Sequence, residues 1–159
     1  MRTDNRYTIF KYIVTAALAV FVIAVCIAGI ESKKPFEEIA SSVELTTASP
    51  SLQTAESADL KRLYGLNPSD YEGVLLRTAT SGMSAEEILL VKLSDDSQYA
   101  AVEAAIRARL DERDNVFKGY APEQASLVEN AKIIRKGKLV FLAVSENADV
   151  YAGGFLKSL

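Results

Sequence analysis

This 159-residue chain lacks most of the residue combinations that carry out catalysis. It contains no histidine, so Ser–His–Asp triads, Cys–His pairs and His-ligated metal sites cannot form within it. Its single cysteine, Cys26, lies in an apolar segment. The adjacent carboxylates Glu86 and Glu87 precede a strand-like run, where neighbours point to opposite faces, so they are interpreted as a solvated strand start. We therefore predict no enzyme activity, no catalytic residue, no metal and no cofactor.

Binding is the chemistry that the remaining polar residues could support. Tyr120-Ala121-Pro122 places an aromatic ring beside a helix start, whose amides favour an anion or a peptide carboxylate. Arg109 falls beside the apolar stripe of a predicted helix and could bridge that helix to a strand. The candidate ligand-binding residues are Arg109, Tyr120, Lys132, Arg135, Lys136 and Lys138. The structural alternatives are that Tyr120 packs over the sheet and that the basic residues protect a hairpin edge.

The charge balance limits the partners of these residues. Residues 1–30 hold three of the 18 basic and one of the 21 acidic residues, which leaves 15 basic and 20 acidic residues in the remainder. This acidic balance argues against nucleic acid as a partner. The four basic residues from 132 to 138 could still contact anionic lipid headgroups or wall polymers.

A long apolar segment precedes these residues. The nineteen residues from Tyr12 to Ile30 carry no charge, and as a helix they would extend about 28 Å, close to the thickness of a bilayer core. We predict a basic cytoplasmic tail at 1–11, a single transmembrane helix at 12–30 and one extracytoplasmic domain at 31–159. Arg2, Arg6 and Lys11 favour this orientation, because positive charge tends to stay in the cytoplasm.

Two other fates of this segment stay open. It could be a cleaved signal peptide, since Ala24-Val25-Cys26 is an imperfect cleavage pattern. It could also carry a lipid on Cys26, although Val25 stands where a lipoprotein signal normally has Gly, Ala or Ser, which disfavours lipidation.

The residues after the segment alternate between helix and strand patterns. Strands are predicted at 73–79, 87–93, 131–135 and 138–145, as two hairpins. Helices are predicted from Pro35, at 57–64, after Asp95, from Pro122 to about Asn130 and after Asn147, whereas 46–57 is predicted to be a loop. The fold class is therefore α+β, an N-terminal transmembrane helix followed by a four-stranded, mainly antiparallel sheet packed with helices.

Several short motifs resemble those of a known family. They are Leu60-Lys61-Arg62-Leu63-Tyr64-Gly65-Leu66, Asp70-Tyr71, Met83-Ser84-Ala85-Glu86-Glu87-Ile88, Tyr120-Ala121-Pro122 and Asn130-Ala131. The pattern is similar to a family of uncharacterised, membrane-anchored or lipoprotein-type extracytoplasmic proteins of low-GC Gram-positive bacteria. The resemblance implies a bacterial envelope location and a single domain, and it implies no activity.

Two functions are compatible with these features. The first is a non-catalytic accessory or interaction domain, held at the outer face of the cell membrane and working through other envelope proteins. The alternative is a receptor for a small ligand or a cell-wall fragment, with a groove near Arg109 and Tyr120.

Overall fold

A computed structural model describes residues 11–15, 18, 32 and 34–159. Residues 11–15 and 18 are helical, and Ser32–Leu159 forms a compact unit distinct from the residues before it. No helix within the described ranges is long and apolar enough to cross a membrane. The predicted transmembrane helix is therefore not found, and most of the segment 12–30, Cys26 included, lies outside the described residues.

The unit Ser32–Leu159 is α+β and contains one antiparallel sheet of five strands, so the prediction of four strands is wrong. The strands are β1 (Leu52–Thr54), β2 (Gly73–Ala79), β3 (Glu87–Lys92), β4 (Lys132–Lys136) and β5 (Leu139–Val144). Their order across the sheet is β1-β2-β3-β5-β4. The central strands β3 and β5 pair from Glu87 opposite Val144 to Lys92 opposite Leu139.

The strand that was not predicted is β1. It lies in the segment 46–57, whose serine, threonine and proline content indicated a loop, and it pairs with the end of β2. Arg77 on β2 holds it in place, because its guanidinium donates to the Leu52 carbonyl at 3.3 Å and to the Thr47 carbonyl at 2.8 Å. These hydrogen bonds are donated by a residue of β2, so no local pattern in 46–57 predicts the strand.

Helices cover both faces of the sheet. The five α-helices of the unit are α1 (Phe36–Thr46), α2 (Ser57–Tyr64), α3 (Tyr99–Phe117), α4 (Pro122–Glu129) and α5 (Ala148–Ser158). Side chains of α2, α3 and α4 pack on the face formed by Leu89, Val91 and Leu142. Side chains of α1 and α5 pack on the opposite face, formed by Leu90, Phe141 and their neighbours. The sheet is thus the middle of three layers, and Ile88–Val91 of β3 is fully buried, as expected for a strand that is apolar on both sides.

Local signals in the sequence place the turns that join these elements. Gly65 ends α2 with φ +67°, and Gly137 lies in the β4–β5 turn with φ +53°, conformations that glycine adopts without steric penalty. Asp95 and Gln98 form the expected capping box, which closes a short 3-10 turn, Asp96–Gln98, immediately before α3. The turn between β4 and β5 is Gly137-Lys138, one residue later than predicted.

Candidate functional site

A buried carboxylate, Glu87, occupies the first position of β3. Alternation along the strand directs it to the same face as Leu89 and Val91, beneath α2 and α3. Its side chain meets Arg109 of α3, with Nη2 at 2.9 Å from Oε2 and Nε at 3.3 Å from Oε1. The hydroxyl of Tyr64, the last residue of α2, donates to Oε1 of the same carboxylate. One carboxylate therefore joins two helices to the central strand.

Burial and the contacts with Glu87 shift the pKa values of Arg109 and Tyr64. Glu87 is 4% exposed and Arg109 is 8% exposed. Burial lowers the pKa of Arg109, but the hydrogen bonds and charge of Glu87 more than offset this, so the pKa lies above its ordinary value. Burial, followed by the charge of Glu87, raises the pKa of Tyr64 well above its ordinary value. The tyrosine thus keeps its proton and the guanidinium keeps its charge.

The cluster of Tyr64, Glu87 and Arg109 is closed by its own contacts. A second carboxylate, Glu112, lies 3.1 Å from Nη1 of Arg109 on the outer side. The donors and acceptors of the three side chains are therefore directed at one another. The arrangement has the features of a cross-link within the fold, and it leaves the expected ligand-binding residue Arg109 without open access to a ligand.

The interpretation of Glu86 and Glu87 as a solvated strand start is wrong for Glu87. A signal for the ion pair is present in the sequence, because Val102, Ile106 and Arg109 recur at positions i, i+4 and i+7 of one helix face. A charged residue in such a stripe requires a buried partner of opposite charge, and Glu87 heads an otherwise apolar strand. Glu86 makes a different contact from Glu87, because its carboxylate accepts a hydrogen bond from the Ser145 hydroxyl at 3.1 Å.

Arg113, one helical turn after Arg109, borders a more open region. Its Nη2 donates to the carbonyl of Ser84 in the β2–β3 loop, and its guanidinium carbon lies 4.5 Å from the centre of the Phe117 ring. Its Nε is buried and makes no hydrogen bond to any residue that the structure describes. Burial and the neighbouring Arg109 lower the pKa of Arg113 relative to its ordinary value.

Exposed apolar side chains lie on the segments that meet at Arg113. Met83, next to Ser84, is 64% exposed, and Tyr120 is 55% exposed, with its ring centre 5.8 Å from that of Phe117. Val116, three residues after Arg113 on α3, is also exposed. We call Met83, Arg113, Val116 and Tyr120 the Arg113 patch. The β2–β3 loop is fixed beside it, because the amide of Ala85 donates to Gln124 of α4 at 2.8 Å.

The structure places Arg135 and Lys136 at the end of the sheet away from Arg109, whereas Lys132 lies level with Ile88, beside Glu87. Lys136 lies opposite Leu139, whose partner on β3 is Lys92, whereas Arg109 binds Glu87 at the other end of that strand. Arg135 pairs with Asp96 at 2.6 Å and covers the Tyr99 ring at 4.2 Å.

The other three basic residues differ in their surroundings. Lys132 pairs with Asp149 at 2.9 Å, and Lys138 donates to the Ser94 carbonyl at 3.1 Å. Lys136 is exposed on β4. Most of the predicted basic group is thus engaged within the domain.

One cavity in the described part of the unit is smaller than most small-molecule sites. A cavity of about 150 Å³ lies between β2 and α2, lined by Ala55, Glu56, Ser57, Leu60, Pro68, Val74 and Leu76. Ligand sites are commonly about 300–1,000 Å³. Across the described residues, no group of Cys, Asp and Glu side chains has the arrangement of a metal site.

Comparison with known proteins identifies one family. Its description is "Domain of unknown function (DUF4358)", and the matched region, residues 46–145, begins at the end of α1 and includes all five strands and α2 to α4. The Arg113 patch and the Glu87 cluster both lie within it. Nothing matches among curated proteins or among solved structures. Because the match covers well over half of the 159 residues, the chain belongs to the DUF4358 family of domains of unknown function.

Proposed function

We propose that this protein is a non-catalytic accessory domain of the cell envelope that acts by binding other proteins through the Arg113 patch. The observation that carries the proposal is the contrast between two neighbouring groups of residues. The titratable cluster around Glu87 is closed by internal bonds, whereas Met83 and Tyr120 expose more than half of their surface beside an arginine. Tyrosine, methionine and arginine are enriched at protein interfaces.

The position of the patch supports its availability to a partner. It lies at the end of the sheet where β3 begins, because Arg113 bonds Ser84 in the loop before that strand. Residue Phe36, near the start of the unit, packs against Gly73, which pairs with Lys92 at the opposite end of β3. The six residues of β3 separate these two ends by about 17 Å. A partner at the patch would therefore not contact Phe36.

The proposed location rests on the sequence. Residues 12–30 carry no charge and follow three basic residues, a pattern that favours a membrane-associated protein with its domain on the outer side. The family resemblance implies attachment to a membrane or to a lipid. The proposal accordingly places this chain in the cell envelope. Fractionation of cells, with protease added to intact spheroplasts, tests this part separately.

The interaction proposal is tested by purifying the intact protein, with its bound proteins, from crosslinked membranes. Tyr120→Ser and Met83→Ser should each lower the recovery of a specific partner severalfold, because both remove exposed apolar area from the interface. Leu45→Ser is the matched control, since Leu45 is 80% exposed on α1, which packs on the other face of the sheet. Equal recovery with all three variants would contradict the proposal.

A further inference from the structure

The chemistry of Arg113 specifies the kind of protein segment that fits the patch, an inference that rests on the proposed function. A guanidinium carries five N–H donors in a planar fork. In Arg113, Nη2 is used by the carbonyl of Ser84, and Nε is buried with no hydrogen-bond partner among the described residues. The fork is therefore only partly satisfied, and one of its donors has already been removed from water.

The charge of Arg113 is also uncompensated by direct contact. Ion pairs between described residues engage Arg62, Arg107, Arg109 and Arg135 with carboxylates, but none engages Arg113. The two carboxylates whose charges act on Arg113, Glu87 and Glu112, are both bound to Arg109. A half-buried cation without a carboxylate is an unfavourable arrangement that an acidic group from another molecule would relieve.

The side chains around Arg113 are apolar. The ring of Phe117 covers one face of the guanidinium at 4.5 Å, which shields it from water on that side. Met83, Val116 and Tyr120 leave apolar surface exposed on the segments that surround it. A charge-assisted hydrogen bond is stronger where neighbouring groups exclude water, and tyrosine and arginine are the residue types that most often dominate binding energy.

We propose that the Arg113 patch binds a protein segment in which an aspartate or glutamate is flanked by apolar side chains. The carboxylate accepts hydrogen bonds from the guanidinium of Arg113. The apolar side chains pack against Met83, Val116 and Tyr120. The partner is thus recognised by one central charge within an apolar contact.

A selection from random dodecapeptides displayed on phage tests this chemistry without assuming a partner. The target is the full chain purified in a mild non-ionic detergent. The expected result is enrichment of peptides with Asp or Glu next to Leu, Phe or Met. Enriched peptides that are basic, or that lack an acidic residue, would overturn the inference, and so would a failure to enrich any peptide.

Binding of a synthetic enriched peptide then tests the role of its carboxylate. Replacing the acidic residue of the peptide by its amide, Glu→Gln or Asp→Asn, should weaken binding about tenfold or more, because a hydrogen bond to a charged group is lost. This change leaves the protein untouched, so it cannot be confused with misfolding. Equal affinity of the acid and the amide would contradict the inference.

Variants of the protein locate the site. Arg113→Gln and Tyr120→Ala should each lower the affinity for the peptide about tenfold, whereas Leu45→Ala should leave this affinity unchanged. Arg113→Lys keeps the charge without the planar fork and should give an intermediate affinity. Thermal melting of each variant shows whether the loss of the Ser84 contact has affected the fold. If Arg113→Gln weakens binding to phosphatidylglycerol vesicles but not to the peptide, the site recognises lipid and the inference is wrong.

The two proposals can fail separately. A cellular partner that is lost with Tyr120→Ser, together with peptides that show no acidic preference, would leave the interaction function standing and remove only the carboxylate inference. A partner that is retained by all patch variants would remove the interaction function itself.

Discussion

Arg109 lies on the buried side of α3, where its guanidinium is surrounded by the apolar residues that join α3 to the sheet. Its charge is tolerated there because Glu87 supplies both a counter-charge and two hydrogen-bond acceptors. Removing one member of such a pair leaves the other as an isolated buried charge, which is far less favourable than losing an exposed ion pair. The residue is therefore better understood as part of the fold than as a ligand site.

Arg109→Ala should lower the free energy of unfolding by about 3–5 kcal/mol, the range for breaking a buried pair by removing one partner. Arg107→Ala is the matched control, because Arg107 lies on the same helix and makes an exposed pair with Glu103. That variant should lose far less stability, because solvent screens its exposed ion pair. Urea denaturation of both proteins measures the difference, and comparable losses would show that the Glu87 pair is not a buried cross-link.

Tyr64 makes the stability depend on pH on the alkaline side. Its pKa is raised by burial and by Glu87, so in the folded state it keeps its proton above the ordinary titration of a tyrosine near pH 10. The unfolded chain then binds fewer protons than the folded one, and stability must fall as the pH rises beyond about 10.

Tyr64→Phe should therefore flatten the decline in unfolding free energy above about pH 10, because the titrating group is absent. Tyr71→Phe should change this slope less, since burial raises the pKa of Tyr71 to a smaller degree. Denaturation curves at successive pH values give the two slopes. A decline that is as steep in Tyr64→Phe as in the unchanged protein would contradict the assignment.

At the level of elements, the helices and four of the five strands follow from the sequence because their signals are local. Apolar periodicity, the Asp95–Gln98 capping box and the glycines after α2 and β4 each act within a few residues. The strand β1 and the choice of Glu87 as the partner of Arg109 depend on residues 22 to 30 positions apart, so neither can be inferred from a short window. For Arg109, only the bridge from helix to strand was predicted, and the structure confirms it. The Arg113 patch has the same character, since it combines a β-loop with the end of a helix. Only Tyr120 was among the predicted binding residues.

Gly65 provides an element-level test of these local signals. Its φ of +67° is a conformation that costs an alanine about 1–2 kcal/mol. A methyl group at this position would meet no atom within 4 Å, so the expected loss is conformational rather than steric. Gly82→Ala is the control, because Gly82 has equal space and no positive φ. Thermal unfolding should show a lower midpoint for Gly65→Ala alone. A similar shift in both variants would mean that the left-handed conformation of Gly65 is not the cause of the lost stability.

At the level of the whole unit, the two hairpins place their second strands, β3 and β5, side by side in the centre of the sheet. The helix after the first hairpin, α3, covers one face, and the helix after the second, α5, covers the other. This arrangement buries both faces of β3 and β5, and it leaves functional surface to loops and helix ends.

The most direct test of the interaction function is photo-crosslinking in living cells, with a photoreactive phenylalanine analogue at position 120 of the full chain. The same analogue at position 45, an exposed site on α1, is the control. We expect a discrete crosslinked protein from position 120, absent from position 45 and reduced by Arg113→Gln. The same adducts from both positions, or none from position 120, would contradict the proposal that the domain acts through this patch.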